Sequence, residues 1–237
     1  MDAAADEDAE TEPVALSTAF LAEIRDGQTR GPARERLAKL PEERLDALDR
    51  RGRLAFWLNV YNAAAHAALA ERPERFENRR RFFSAPLVTV AGEELGLDTI
   101  EHGIIRHSSW KYGLGYVRDP FPSAFERRHR LSARDFRIHF ALNCGAASCP
   151  AIAAYTAENV DLELHRSTAT YLSTESVVDG DTVRVPRLML WYRGDFGGRR
   201  GIKRILREYG VVNEPGRYRV RYRDYDWSLA VGRFHGE

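Results

Sequence analysis

The chain has only two thiols, Cys144 and Cys149, and both fall in one short run, HFALNCGAASCP, that also carries His139. Four chemistries are open to such a pair. The spacing permits a disulfide. With His139 and His102 the pair would supply four zinc ligands, although four intervening residues lie at the loose end of the spacing used by zinc knuckles. Two small apolar side chains also pack well in a tight turn. The fourth reading is nucleophilic. Cys149 precedes Pro150, and a helical turn over PAIAAY would place the thiol at a helix N-terminus, where the dipole lowers its pKa. Gly145, Ala146, Ala147 and Ser148 are small enough for backbone N–H groups to approach an oxyanion closely. A nucleophilic Cys149 needs a base and the base needs an orienting partner. His102 and His139 are the candidate bases, and Asn59, Asn62 and Glu101 the candidate orienting groups. Cys144, at a strand end, is assigned to packing; the nucleophilic reading calls for no metal and no cofactor.

These residues must be carried by a few elements. RLAFWLNVYNAAAHAALAERP predicts a strong helix ended by Pro73, with Asn59, Asn62 and His66 in one narrow stripe and apolar residues over nearly all the rest. Such a helix is buried, so the stripe must find hydrogen-bond partners, either by bracing neighbouring loops or by lining a site. DTIEHGIIR predicts a helix in which Asp98 and Glu101 have capping-box spacing and His102 and Arg106 share a face. RIHFALN alternates as a strand, so the cysteine run is expected to be a strand entering a turn. Hairpins are expected at Ala91-Gly92 and in VVDGDTVRVP. Short amphipathic helices are expected in ALSTAFLAEIRDG and LPEERLDALDR, a helix from near Thr156, and two more in LMLWYRGDFG and RRGIKRILREYG. RYRVRYR reads as a last strand, and the irregular stretch from Trp110 to Asp135 as a functional or covering loop. Helices mixed with hairpins, without βαβ repeats, predict an α+β fold: a helical N-terminal half on a small, mostly antiparallel sheet. Residues 1–13 are expected to be a disordered acidic tail and 14–237 a single domain.

Composition excludes some classes. Of the 237 residues 43% are hydrophobic and 11% aromatic, enough to fill a core. The net charge is +1, so no global field selects nucleic acid or a membrane. No run reaches membrane-span length, and the acidic opening is unlike a secretory leader, which predicts a cytoplasmic protein, a compartment that disfavours a disulfide.

FWLNVYNA, LGLDTIEHGIIR, RIHFALNCGAASCPAI, YTAENV, WYRGDFG and YDWSL, in this order over about residues 50–230, resemble the domain of unknown function 547 family. The resemblance implies functional positions at Asn59, Tyr61, Asn62, Glu101, His102, Arg106, His139, Cys144, Cys149, Trp191 and Asp195, and implies no established activity. Cys144, Gly145, Ser148, Tyr61, Arg106 and Trp191 are the candidate binding residues. Cys, His and amide side chains together are also similar to papain-like and transglutaminase-like sites, but here the histidines precede the cysteines, so the likeness is by analogy. Three functions compete. One is a thiol-dependent hydrolase or acyl transferase acting on a small molecule or peptide. Another is a non-catalytic interaction module whose Cys/His/Asn cluster is structural. The third is nucleic-acid binding through RRGIKR and RYRVRYR, which the balanced charge and the protective role of charge on an edge strand argue against.

Overall fold

The computed structural model describes residues 12–214 and 216–235; most of the expected acidic tail lies outside the described residues. Pro13 belongs to structure rather than tail. It opens helix α1 (Pro13–Arg25), and the Glu12 carboxylate accepts from the Ala15 N–H at the helix start. Leu16, Phe20 and Ile24 are buried, as their spacing predicts. Two short helices, α2 (Pro32–Ala38) and α3 (Glu42–Asp46), lead to α4 (Arg50–Glu71), capped by Asp49 accepting from Gly52 N–H. Every residue of α4 from Leu54 to Leu69 is buried. α1 packs along it, and the rest of the core gathers round it.

After α5 (Arg79–Ser84) comes an antiparallel hairpin, β1 (Val88–Val90) with β2 (Glu93–Leu95), turning at Ala91-Gly92 as expected. The following helix, Thr99–Ile105, is a π-helix: Arg106 N–H reaches Glu101 O at 2.8 Å and Ser108 N–H reaches Gly103 O at 2.8 Å, both five residues apart. The expected Asp98 cap is not formed. Asp98 pairs with Lys111 instead, at 2.6 Å. Residues 110–135 are a covering segment broken by one short helix, α6 (Ala124–His129), which Ser123 and Glu126 close with a capping box.

Residues 137–143 are not a strand. Phe136–Phe140 form a 3₁₀ turn and 141–143 are irregular. The alternation misleads because this segment is wedged between two apolar clusters: Ile138 and Ala141 join the one around α4, Phe140 the other. Asn62 also replaces a neighbouring strand, donating to Ala141 O at 3.1 Å and accepting from Asn143 N–H at 2.8 Å. The helix expected from near Thr156 begins at Val160 (α7, Val160–Glu175).

The sheet is likewise not single. β3 (Val177–Asp179) and β4 (Thr182–Val185) form the expected hairpin, and β5 (Arg219–Tyr222) joins β4 in parallel. This three-stranded sheet packs with α8 (Leu188–Trp191) and α9 (Gly198–Glu208) around the second cluster. Among the described residues there are thus two small sheets in a mainly helical α+β fold, and no helix long and apolar enough to cross a membrane.

Candidate active site

The cysteine run is held from both sides. The C-terminal segment straps over it: Ala147 N–H donates to Ser228 O, Ser148 N–H to Asp226 O, and Ala230 N–H to Gly145 O. Gly145 has φ +93, and a Cβ there would meet Leu69 of α4 at 2.3 Å, so only glycine fits. Gly145 N–H and Pro150 O are both bonded by the Asn143 side chain, which also faces His66 Nε2 at 3.0 Å. Asn59 grips both backbone groups of Tyr155 at 2.9 Å. The polar stripe of α4 is therefore a brace for the loops. Asn59 and Asn62 do not orient an imidazole.

Both sulfurs line a cavity of about 450 Å³ walled by Tyr61, Phe83, Tyr112, Trp191, Tyr192, Tyr225 and Trp227, with Glu101, His102 and His139 also in its lining. Cys149 precedes extended chain, not a helix, so no dipole acts on it. Donors surround its sulfur instead: the Cys144 N–H at 3.3 Å, the Cys144 thiol at 3.3 Å and the Tyr225 hydroxyl at 3.2 Å. Burial pushes the Cys149 thiol up, but these hydrogen bonds outweigh it and bring the group down to about 7. The hydrogen bond to Cys149, and then burial, push Cys144 well above the ordinary thiol range. The two are free thiols in contact, and among the described residues no imidazole hydrogen-bonds to either sulfur. The expected oxyanion donors are also committed: the N–H groups of Gly145, Ala147, Ser148 and Cys149 all bond within the protein. Of the four small residues between the cysteines, Ala146 has the N–H that faces the sulfurs, alongside that of Cys144. Ser148 is structural, its Oγ accepting from Asp226 N–H and its carbonyl from Tyr171.

Beyond the sulfurs lies a buried charge network. Arg106 donates to Asp195 at 2.7 Å and to His102 Nδ1 at 2.5 Å, and its guanidinium lies over Tyr192. A guanidinium only donates, so His102 Nδ1 accepts, and its proton sits on Nε2, 3.6 Å from Asp98. This imidazole has no lone pair left for a thiol. His139 differs. Its Nε2 donates to Asp195 at 2.9 Å, its ring stacks on Tyr192 at 3.9 Å, and Nδ1 has no hydrogen-bond partner among the described residues. Burial would raise Asp195, but His139 and Arg106 hold it well below the usual carboxylate range. Burial lowers both His139 and His102, so both are neutral near pH 7. Glu101, opposed by burial but held low by His102, Arg106 and His139, accepts from Tyr61 at 3.4 Å through one oxygen. Tyr192 is a further donor to the carboxylate, whose other oxygen makes no closer hydrogen bond among the described residues. Asp195 is fixed by a close approach of two loops: a Cβ on Gly194 would fall 2.4 Å from the Gly115 backbone. Arg134 binds the other Asp195 oxygen at 2.8 Å.

Of the residues picked out by chemistry or resemblance, Cys144, Cys149, His102, His139, Glu101, Tyr61 and Trp191 meet at one cavity, with Arg106 packed behind it. Gly145, Ser148, Asn59 and Asn62 hold its frame. Tyr192, Tyr225 and Trp227 were missed by residue chemistry, and Asp195 entered through the resemblance without a role. Their signal was the sequence motifs WYRGDFG and YDWSL rather than any spacing to the cysteines.

Fold and cavity together define an α+β protein with a buried thiol pair beside a His–Asp–Arg network. Residues 45–172 match the family described as "Protein of unknown function, DUF547", and the chain belongs to that family. The matched stretch holds both cysteines and His139 but ends before Trp191, Asp195 and Tyr225. No curated protein and no solved structure matches the chain.

Proposed function

We propose that the protein is a thiol-dependent acyl transferase or hydrolase, with Cys149 as nucleophile and a small-molecule or peptide substrate whose apolar acyl group occupies the aromatic cavity. The observation that carries this reading is a cavity-lining sulfur held by three donors and brought to about 7, so that thiolate is present near neutral pH without an adjacent imidazole. In the reaction the Cys149 thiolate bonds to the substrate carbonyl carbon as the bond to the leaving group breaks, and the leaving group takes a proton from water, whose hydroxide, or an acceptor nucleophile deprotonated by it, attacks in the second step. That attack cleaves the thioester and restores the thiolate. His139 is the proton carrier: Asp195 fixes its Nε2–H and leaves the Nδ1 lone pair uncommitted. His102 is excluded from that role by Arg106. A reducing cytoplasm would keep both thiols available.

The rival reading, a non-catalytic interaction module, draws on the bracing role of Asn59 and Asn62, which bind backbone groups of the loops, Asn59 also donating to the Ser17 and Thr18 hydroxyls. A series of p-nitrophenyl esters of increasing acyl size separates the two. Acyl transfer predicts a burst of p-nitrophenolate and an acyl adduct on the Cys149 peptide, absent in Cys149→Ser, with turnover reduced in His139→Gln. A folded protein that forms no adduct, or forms it equally in Cys149→Ser, would leave the module reading standing.

A further inference from the structure

A second hollow, of about 560 Å³, lies on the C-terminal part of the chain and is lined by Arg199, Arg200, Lys203, Arg217, Arg219 and Arg221. Two consecutive elements, α9 and β5 with the turn before it, make it. Ile202, Ile205 and Leu206 bury one side of α9, which leaves Arg199 and Arg200 exposed at its first turn. On β5, Val220 is buried while Arg219 and Arg221 are exposed. The two basic runs converge because each element buries its apolar side in the same cluster.

Among the described residues no carboxylate lines this hollow, and of its six cations only Arg219 forms an ion pair, with Asp181 at 3.3 Å. Several arginines elsewhere on the surface are paired. Arg128 is paired with Glu42 and Asp46, Arg137 with Asp135 and Asp161, and Arg223 with Glu175. Acidic residues nearly equal basic ones in number, 35 against 36, so the imbalance is local. Like charges gathered in a concave surface repel one another and concentrate a positive potential that a bound anion relieves, and the N-terminal end of α9 adds to it.

We propose that this hollow is a binding site for a compact oligophosphate, a ligand carrying a di- or triphosphate group. Arginine favours this chemistry through its planar set of donors, which fits phosphate oxygens in pairs. A single-stranded nucleic acid is the weaker fit. Stacking of successive bases requires a row of exposed aromatic faces, but Tyr218 is the one aromatic in the lining and is half-buried, and Tyr222 packs against the core beside Val220. The hollow is also of the size of a small-molecule pocket rather than a long track.

The test is calorimetric titration of the whole protein with sodium tripolyphosphate at about 50 mM and about 200 mM salt. Saturable binding that weakens with salt is expected, with orthophosphate at least about tenfold weaker. Arg200→Glu with Arg221→Glu should weaken tripolyphosphate binding by at least about tenfold. Arg80→Glu with Arg166→Glu, an equal charge change at exposed positions outside the hollow, should change it by less than about twofold. Unchanged melting temperatures would show that both variants fold. Adenosine triphosphate distinguishes the source: affinity equal to tripolyphosphate assigns recognition to the phosphate chain, and tighter binding adds a nucleoside contact. Absence of saturable binding, or an equal loss in the control pair, overturns the proposal. So does tighter binding of a short single-stranded oligonucleotide in the same buffer, which would give the surface to nucleic acid.

Discussion

Replacing Tyr225 by Phe isolates the side-chain hydroxyl that helps to lower the Cys149 thiol. The hydroxyl is 3.2 Å from the Cys149 sulfur, while the ring packs on Trp191 and Trp227 at 5.0 and 4.6 Å. Phe keeps the packing and removes only the donor. A hydrogen bond to a charged group contributes about 1.5–3 kcal/mol, and each pKa unit corresponds to about 1.4 kcal/mol, so the thiol should rise by about one to two units. The wild-type group, at about 7, is roughly half ionised at neutral pH. In Tyr225→Phe the thiolate fraction there should fall to about a tenth or less. Two measurements read this: the pH dependence of iodoacetamide alkylation at the Cys149 peptide, and thiolate absorbance taken as a difference against Cys149→Ser. An unchanged or lower pKa in a folded Tyr225→Phe protein would refute the assignment of the tyrosine as a donor to the thiolate.

The buried imidazoles His66, His102 and His139 are all lowered, chiefly by burial, from 6.5. The unfolded chain therefore takes up protons first, and stability present above 6.5 is lost as pH falls below it, by up to about 1.4 kcal/mol per pH unit for each imidazole. Urea unfolding at about pH 7.5 and 5.5 should show this loss, and a flat profile would count against burial of neutral rings. Asp195→Ala strips the buried Arg106 of its carboxylate partner and should cost about 3–5 kcal/mol of unfolding free energy; a loss under about 1 kcal/mol would mean that the pair is not buried as described. Oxidised glutathione should convert the two contacting thiols into a Cys144–Cys149 disulfide, as Cys149 displaces one glutathione thiolate and Cys144 the second. Mass spectrometry should then find the loss of two hydrogens in wild type but a retained glutathione adduct in Cys144→Ser, and a stable adduct in wild type would contradict the contact.

What the sequence made legible follows from how local each signal is. The Ala91-Gly92 and Asp179-Gly180 turns and the all-round burial of α4 depend on adjacent residues and a single period, and they were legible. The 137–143 segment was not, because its backbone is satisfied by Asn62, about 80 residues earlier, and no local pattern reports a side chain standing in for a strand. The oxyanion expectation is narrowed for a similar reason: small residues permit a close approach, but the segment at 226–230 takes the Ala147 and Ser148 amides, while those of Gly145 and Cys149 bond to Asn143 and Ala146. Asp195 depends on a contact between glycines at 115 and 194 that nothing near the cysteines encodes.

Residue type alone therefore did not separate the brace from the chemistry here; hydrogen-bond saturation does. Asn59 gives its oxygen to the Tyr155 N–H and its nitrogen to the Tyr155 carbonyl, Asn62 divides its amide between Ala141 and Asn143, and His66 meets Asn143 and Gly232. Such groups have nothing left to offer a substrate, and buried amides that are satisfied in this way stabilise rather than react. The cavity groups are the converse. Cys149 is surrounded by donors that favour its charge, and His139 keeps Nδ1 uncommitted. A thiol lowered by donors, near an imidazole with an uncommitted nitrogen and under an aromatic wall, is the feature that bracing alone does not explain.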